Sequence, residues 1–358
     1  MIPRLYEKTE TAFSSYGICP LTDAVSCLAT EERNGEFTLE MRYPRDGRWA
    51  NEIAVDRQIL ADPKEGASQA EPFRITSVDF DMNEDMLISA EQIGYQLNHV
   101  IVGAFSGYTR YPLKMWQTAT DSANLLTVNP FTFQTDISDD NGTVRHYGFD
   151  TPVTLKSVIG GKEGSIIDLF GGELEWNRYN VILHSARGAD RGVKIAYTKN
   201  LTGLTYNIDM SSVCSGAVAY YKDTDNYVQG TVQTVTNSYS YNRIAVLDAS
   251  GEFSNAVPSQ SDLNTFASNW LATNAKEPAI SVEVEFVPLG QTDEYSDLKE
   301  LEHVSLCDIV TVQYPPLNLN LKAKVVKTVY DVLKDRYKEI TISTIRSSLA
   351  DTIYQLMR

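Results

Sequence analysis

Apolar and polar residues alternate with period two along much of this chain, the pattern of strands with one buried face. Phe37, Leu39, Met41 and Tyr43 mark one face of a strand over residues 37–43. Asn34-Gly35 just before it is a hairpin turn, which pairs it with residues 24–30. A short polar, helical stretch leads to a strand at 57–60. Residues 73–80 form another, and turn at Asn83 to Asp85 into 86–90. Short strands with turn signals at this spacing predict a small barrel or sandwich.

The far end repeats the pattern. Residues 280–286 alternate like 37–43, Asp308-Ile309-Val310 corresponds to Gln58-Ile59-Leu60, and 324–331 corresponds to 74–81. The last two matches share one offset of 250 residues, and a hairpin follows each. Two copies of one β-module are therefore expected.

Between the copies the pattern changes. Residues 112–119 read as a helix with Pro112 in its first position. Residues 124–148 are rich in Asn, Asp and Thr, with an exposed loop at Asp139-Asp140-Asn141-Gly142. A second helix starts at 154–159, with Thr151-Pro152 as cap and first turn. Residues 165–170 continue the helical region until Gly171-Gly172 stops it. Further on, 205–209 and 217–222 read as strands that begin the second module. Residues 261–271 form a helix capped by Ser259 or Ser261, with Leu263, Phe266, Trp270 and Leu271 on its apolar face. Leu349, Ile353 and Leu356 make a closing stripe of one heptad, which suits core packing better than a coiled coil.

The layout is thus mainly β with α+β insertions. A first β-barrel module spans 1–97, and an inserted α+β domain ending in a long hairpin spans 98–194. The second, similar β-barrel module spans 195–345 with a helical insertion around 241–277, and 346–358 form a C-terminal helix.

Composition narrows the class. A chain of 358 residues exceeds what one core organises, and many Thr, Val and Tyr residues favour strands. The apolar runs fall short of the roughly 20 residues that span a bilayer, and MIPRLYEKTE lacks a signal peptide's basic start and apolar middle. A soluble protein without a membrane anchor, made in a cytosol, is expected. A formal charge of −16 argues against a nucleic-acid-binding groove. It suits solubility, and equally a lumen through which DNA passes without sticking. Cys19, Cys27, Cys214 and Cys307 contain no C-x-x-C pair and read as small buried thiols.

The most distinctive stretch is 180–204, NVILHSARGADRGVKIAYTKNLTGL. Val181 and Leu183 alternate with polar neighbours, and so do Val193, Ile195 and Tyr197. Between these runs Arg187, Gly188, Asp190, Arg191 and Gly192 read as a structural hairpin tip, in which glycines allow positive φ and the aspartate caps nearby N–H groups. An internal Arg–Asp contact, or docking onto a neighbour, is the expected role of its charges.

A hairpin ending R-G-x-D-R-G, followed by an alternating strand and K-N-L-T-G-L, resembles the N-terminal hub region of siphophage tail-associated proteins. That family is also described as prophage endopeptidase tail or phage minor structural protein. Val325-Val326-Lys327-Thr328-Val329-Tyr330-Asp331 with Arg336-Tyr337-Lys338 is a second marker. The resemblance implies a baseplate-hub-like virion protein with two β-barrels per chain, assembled as a homotrimer at the distal end of the tail tube. It implies the distal tail protein and the tape-measure protein as partners, DNA passing through the lumen, and synthesis in the bacterial host cytoplasm before incorporation at the virion tail tip. Relatives often carry a C-terminal wall-degrading extension, which a chain ending at Arg358 is expected to lack.

The residues supply no local catalytic motif of their own. His99, His146, His184 and His303 form no H-E-x-x-H, and there is no G-x-S-x-G or Walker A loop. Glu173 and Glu175 could be imagined as a glycosidase pair beside Trp176. Their spacing instead describes a strand whose outward face carries both carboxylates while Leu174 and Trp176 face inward. No catalytic residue, metal site or cofactor is expected. Two rival readings stay open: a cell-wall peptidase or glycosidase whose site assembles from distant residues, and a carbohydrate-binding host-recognition module using some of the 20 tyrosines.

Overall fold

Strand β4 (Phe37–Pro44) shows how closely the first pattern is obeyed. Phe37, Leu39, Met41 and Tyr43 are all buried, and their neighbours are not. The computed structural model describes residues 2–64, 66, 69–80, 85–138, 144–196, 201–211, 213–237, 239–253, 257–274, 279–286, 304–317 and 319–344. The chain divides into two units, residues 1–204 with 283–345, and residues 205–282 with 346–358. The expected helix at 346–358 lies outside the described residues.

The first unit begins with β1 (Arg4–Tyr6), β2 (Cys19–Pro20), β3 (Ser26–Glu32), β4, β5 (Gln58–Ala61), β6 (Glu71–Phe80) and β7 (Asp85–Gln92). They lie in the order β3-β4-β7-β6-β5-β1-β2, every neighbour antiparallel. Asn34 makes the β3–β4 turn at φ 57°, a left-handed conformation that asparagine tolerates.

The inserted part contains β8 (Ile101–Val102), β9 (Phe105–Thr109), α1 (Pro112–Ala119), β10 (Thr132–Thr135), β11 (Arg145–Phe149), β12 (Val153–Thr154), α2 (Leu155–Ile159), α3 (Ile166–Phe170), β13 (Glu173–Asn177) and β14 (Asn180–His184). Helix α1 starts at Pro112, and α3 is capped by Ser165 and stopped by Gly171 and Gly172 at φ 69° and 97°. The cap of α2 is Thr154, whose Oγ1 accepts from the Ser157 N–H at 3.2 Å. Thr151-Pro152 does not cap it, because Val153 and Thr154 are first paired with β8. β14 runs antiparallel to β13 and parallel to β10.

The chain continues through β15 (Asp190–Ala196) and β16 (Leu201–Asp209) into the second unit. This unit contains β17 (Gly216–Lys222), β18 (Tyr227–Gln229), β19 (Gln233–Thr234), β20 (Ile244–Asp248) and α4 (Gln260–Asn274). The last strands are β21 (Ala279–Phe286), β22 (Ile309–Tyr314), β23 (Leu319–Asp331) and β24 (Arg336–Thr344). β22, β23 and β24 are antiparallel in turn, with β21 beyond β24, and β23 also pairs with β3, which makes one sheet of both ends of the chain.

This pairing corrects the central hairpin. β14 and β15 do not pair with each other. β14 belongs to the inserted sheet, and β15 runs parallel to β22. Residues 185–189 therefore cross between two sheets, and Arg187 to Gly192 are not a hairpin tip.

Two strand entries are built alike. Asp56, at φ 71°, donates its N–H to the Ile75 carbonyl at 2.8 Å, and the Ile75 N–H returns to the Arg57 carbonyl at 2.8 Å. Cys307, at φ 72°, donates to the Val325 carbonyl at 2.9 Å, and the Val325 N–H returns to the Asp308 carbonyl at 2.9 Å. In β6 the register against β7 shifts between Ile75 and Ser77, and in β23 the register against β24 shifts between Val325 and Lys327.

In the second unit, β17 pairs antiparallel with β18 and β19 on one edge and parallel with β20 on the other. Leu263, Ala267 and Leu271 of α4 pack on Ala217, Ala219 and Tyr221, whose small alanines let the helix sit close. Ser259 and Asp262 form a reciprocal capping box, the Asp262 carboxylate accepting from the Ser259 N–H at 2.9 Å. Strand β17 was expected to begin the second barrel. It is part of this α/β unit instead, which is wider than the insertion expected at 241–277.

Candidate functional site

The residues singled out around Arg187 meet at a buried ionic junction. β3 alternates inward at Cys27, Ala29 and Glu31, so Glu31 occupies a position the pattern reserves for an apolar residue. The Arg187 guanidinium answers it. Its Nη1 donates to Glu31 Oε1 at 2.7 Å and to the Leu174 carbonyl at 2.8 Å. Both side chains are under a tenth exposed. Burial works against the charge on Arg187, but the carboxylates of Glu31 and Glu175 outweigh it and raise its pKa.

Glu173 is the second centre. Its carboxylate accepts from Lys324 Nζ at 2.6 Å, from Arg33 Nη1 at 3.3 Å and from the Arg187 N–H at 2.8 Å. Burial alone would raise its pKa, yet these donors hold it below the usual carboxylate range. Glu175 takes Lys64 Nζ at 3.2 Å and His184 Nε2 at 2.9 Å, and its pKa is lowered too, despite its burial. The outward carboxylate face expected for β13 is therefore paired with cations, and only Glu175 keeps partial contact with solvent. Glu173 is buried, because cations from β3–β4, β23 and the loop after β5 converge on it and on Glu175.

The rest of the segment is seated residue by residue. Gly188 lies so close to β22's entry that an added Cβ would fall 2.0 Å from the Cys307 carbonyl oxygen. The Ala189 N–H donates to Asp308 Oδ1 at 2.8 Å. Asp190 accepts from the Gly192 N–H at 3.0 Å and from Lys322 Nζ at 2.6 Å. Arg191 lies 3.5 Å from Asp308, so the Arg–Asp contact joins the segment to β22's entry and is not internal to a tip. Of the two glycines only Gly192 has a positive φ, at 73°.

Beside the Glu31–Arg187 pair, Lys64, Glu71, Glu175 and Trp176 line a cleft of about 30 Å³, room for a water or two and far below an ordinary ligand pocket. Glu71 shares the inward face of β6 with Phe73 and Ile75. Its carboxylate accepts from the Arg178 N–H at 2.9 Å and Gln92 Nε2 at 3.1 Å, and burial raises its pKa to about 7. Burial also pushes the Cys307 thiol up to about 12 and the Cys27 thiol up as well, so neither supplies a thiolate near neutral pH. His99 and His146 are exposed, His184 is tied to Glu175, and His303 lies outside the described residues. Among the described residues no group of three or more His, Cys, Asp or Glu is placed to hold a metal ion.

Glu31, Glu71 and Lys324 were not among the residues singled out from sequence. For the two glutamates a signal was present, a carboxylate in phase with the apolar face of its strand. Lys324 carried none, since its partner Glu173 is far away in the chain.

A long, mainly antiparallel sheet built from both ends of the chain, with an α+β insertion, is a fold shared with solved prophage tail proteins. The prophage tail protein gp18 from Listeria monocytogenes EGD-e superposes with a TM-score of 0.57 at 13% identity, over 100% of this chain and 98% of that one. The 43 kDa tail protein of prophage MuSo2 from Shewanella oneidensis gives 0.57 at 10% identity, over 98% and 99%. The tail protein from Neisseria meningitidis MC58 gives 0.58 at 8% identity, over 98% of each chain. Residues 189–353 match the family described as prophage endopeptidase tail. The mainly β fold and the resemblance drawn from the sequence markers are thereby borne out. Among curated proteins no sequence matches the chain.

Proposed function

We propose that this chain is a structural hub of a prophage tail tip. In this reading three chains form a ring that closes or extends the tail tube, joining it to the distal tail protein and the end of the tape-measure protein. The lumen passes DNA without binding it, which the charge of −16 favours.

The observation that carries the proposal is the repeated strand entry. Strands β4-β7-β6-β5 and β21-β24-β23-β22 follow the same order. The bulge between Ile75 and Ser77 recurs 250 residues later between Val325 and Lys327. Beside each bulge one residue, Ile75 or Val325, accepts from the N–H of a residue of left-handed φ and donates to the carbonyl of that residue's successor, Asp56-Arg57 in one case and Cys307-Asp308 in the other. Such a bulge leaves one residue unpaired and is costly to place by chance, so its recurrence with the same bonding supports two copies of one module. Asp308 then corresponds to Arg57, one residue away from the Gln58 that pattern matching selects.

Duplication matters because a threefold ring of two-module chains presents six similar modules, and can meet a sixfold tube without leaving alternate sites empty. Residues 187–192 serve as a structural latch within each chain. Electron microscopy of the concentrated chain tests the reading. Averages with threefold symmetry and six similar densities around a channel are expected, and globular particles without a channel would count against it.

A further inference from the structure

The two duplicated strands β6 and β23 differ in what covers their far halves. β23 has β24 along one side, and along the other β22 as far as Lys324 and then β3 over residues 327–331. β6 has β7 along one side, and along the other β5 as far as Arg74, with Ile75 bonded to Asp56 and Arg57. Among the described residues no strand pairs with that second side over 77–80, which the offset of 250 matches to 327–330. Burial follows the difference. Tyr330, beside Ala29 of β3, is 0% exposed, and Thr328, beside Glu31, is 3% exposed. Their counterparts Phe80 and Val78 stand opposite the buried Met86 and Ile88 of β7, so they lie on the core face of the sheet. Yet Val78 is half-buried, and Phe80 is 63% exposed under the exposed guanidinium of Arg45, 5.4 Å from its ring centre.

We propose that residues 77–80 are the edge on which a second copy of this chain adds its strand β16, carrying the sheet from chain to chain as β3 carries it within one. The occupant follows from the strand order, which runs β3-β4-β7-β6-β5 in one module and β16-β21-β24-β23-β22 in the other. β16 therefore holds the place of β3, and what β3 covers on β23, β16 is placed to cover on β6. Both halves of that contact are open in a single chain, since among the described residues β16 adjoins β21 alone. Backbone direction agrees. The Arg33 N–H donates to the Val326 carbonyl at 2.8 Å and the Val332 N–H to the Cys27 carbonyl at 2.9 Å, so the even-numbered residues of β23 turn their peptide groups towards β3. By the offset Val78 and Phe80 turn theirs towards the open edge. The sequence of β16 alternates Leu204, Tyr206 and Ile208 with Thr205, Asn207 and Asp209, the pattern of a strand with one apolar face. Joining two unlike edges makes a heterologous contact, which repeats in one sense and closes into a ring when its rotation allows. The contact stands on the duplication, and its closure at three chains rests on the hub reading.

The test places the photoreactive residue p-benzoylphenylalanine at position 80 of the full chain, mixes isotope-labelled with unlabelled protein, and maps the cross-links by mass spectrometry. The expected product joins two chains and ends within residues 201–209 of the second. Phe80→Asp should weaken self-association about tenfold or more in sedimentation, because the contact would bury an unpaired carboxylate. Its circular dichroism should be unchanged, since the side chain is mostly exposed in one chain. The proposal is overturned by cross-links that end elsewhere in the second chain, by no cross-link between chains, or by parent-like association of Phe80→Asp. These outcomes are separable from the fate of the hub reading. A trimer indifferent to Phe80→Asp keeps the hub and removes this edge. Cross-linking from position 80 to residues 201–209 in particles that are not trimers supports the edge and removes the threefold ring.

Discussion

Replacing Arg187 by Met should be among the most damaging single changes in the first unit. The substitution keeps an apolar stem of similar length, but leaves Glu31, 4% exposed on the inward face of β3, without its cation. It also leaves the Leu174 carbonyl without this donor. Removing one partner of a buried pair costs about 3–5 kcal/mol, most of it the penalty of the stranded charge. Because the penalty lies with the survivor, Glu31→Leu combined with Arg187→Met should recover most of the loss, to within about 1–2 kcal/mol of the parent. Urea unfolding of the two single variants and the double variant, with hydrogen exchange at β3 and β13 assigning the transition to this unit, measures the cycle. A cost below about 1 kcal/mol for Arg187→Met, or additive effects in the double variant, would refute the reasoning.

Other outcomes follow from the same region. Burial raises the folded-state pKa of Glu71 from 4.5 to about 7, so folding favours its neutral form. Its stabilising contribution is complete below pH 4.5 and is lost as pH rises through about 7. Glu71→Gln should remove that slope and gain roughly 2–3 kcal/mol at pH 8, and a parallel stability–pH curve for both proteins would disprove the assignment. Gly188→Ala should destabilise more than Gly192→Ala, the first through a clash with the Cys307 carbonyl and the second only through its positive φ, about 1 kcal/mol; melting temperatures in the reverse order would contradict this. Purified cell walls should keep their turbidity in the presence of this chain, and clearing abolished by changing one His or Cys would reveal a catalytic site.

What the sequence disclosed was whatever is decided within a few residues. Asn34-Gly35, Pro112, Ser165 and Gly171-Gly172 each set a turn or a helix end through local backbone preference, and the structure places them accordingly. The segment around Arg187 was misread for the complementary reason. Two alternating runs separated by glycines look the same whether they pair with each other or with strands elsewhere, and β15's partner β22 is more than a hundred residues away. Glu173 looked solvated because nothing near it in sequence announces Lys324 or Arg33. The similar bonding at the entries of β5 and β22 was not legible, because it appears only in the backbone hydrogen bonds to Ile75 and Val325.

The most direct test of the hub reading is the mass of the purified full chain in solution as concentration is raised. Sedimentation equilibrium should show a species of three chains, each of 40.0 kDa, accumulating without a stable dimer. A particle that stays at one chain at the highest concentration, or that stops at two, would contradict the ring.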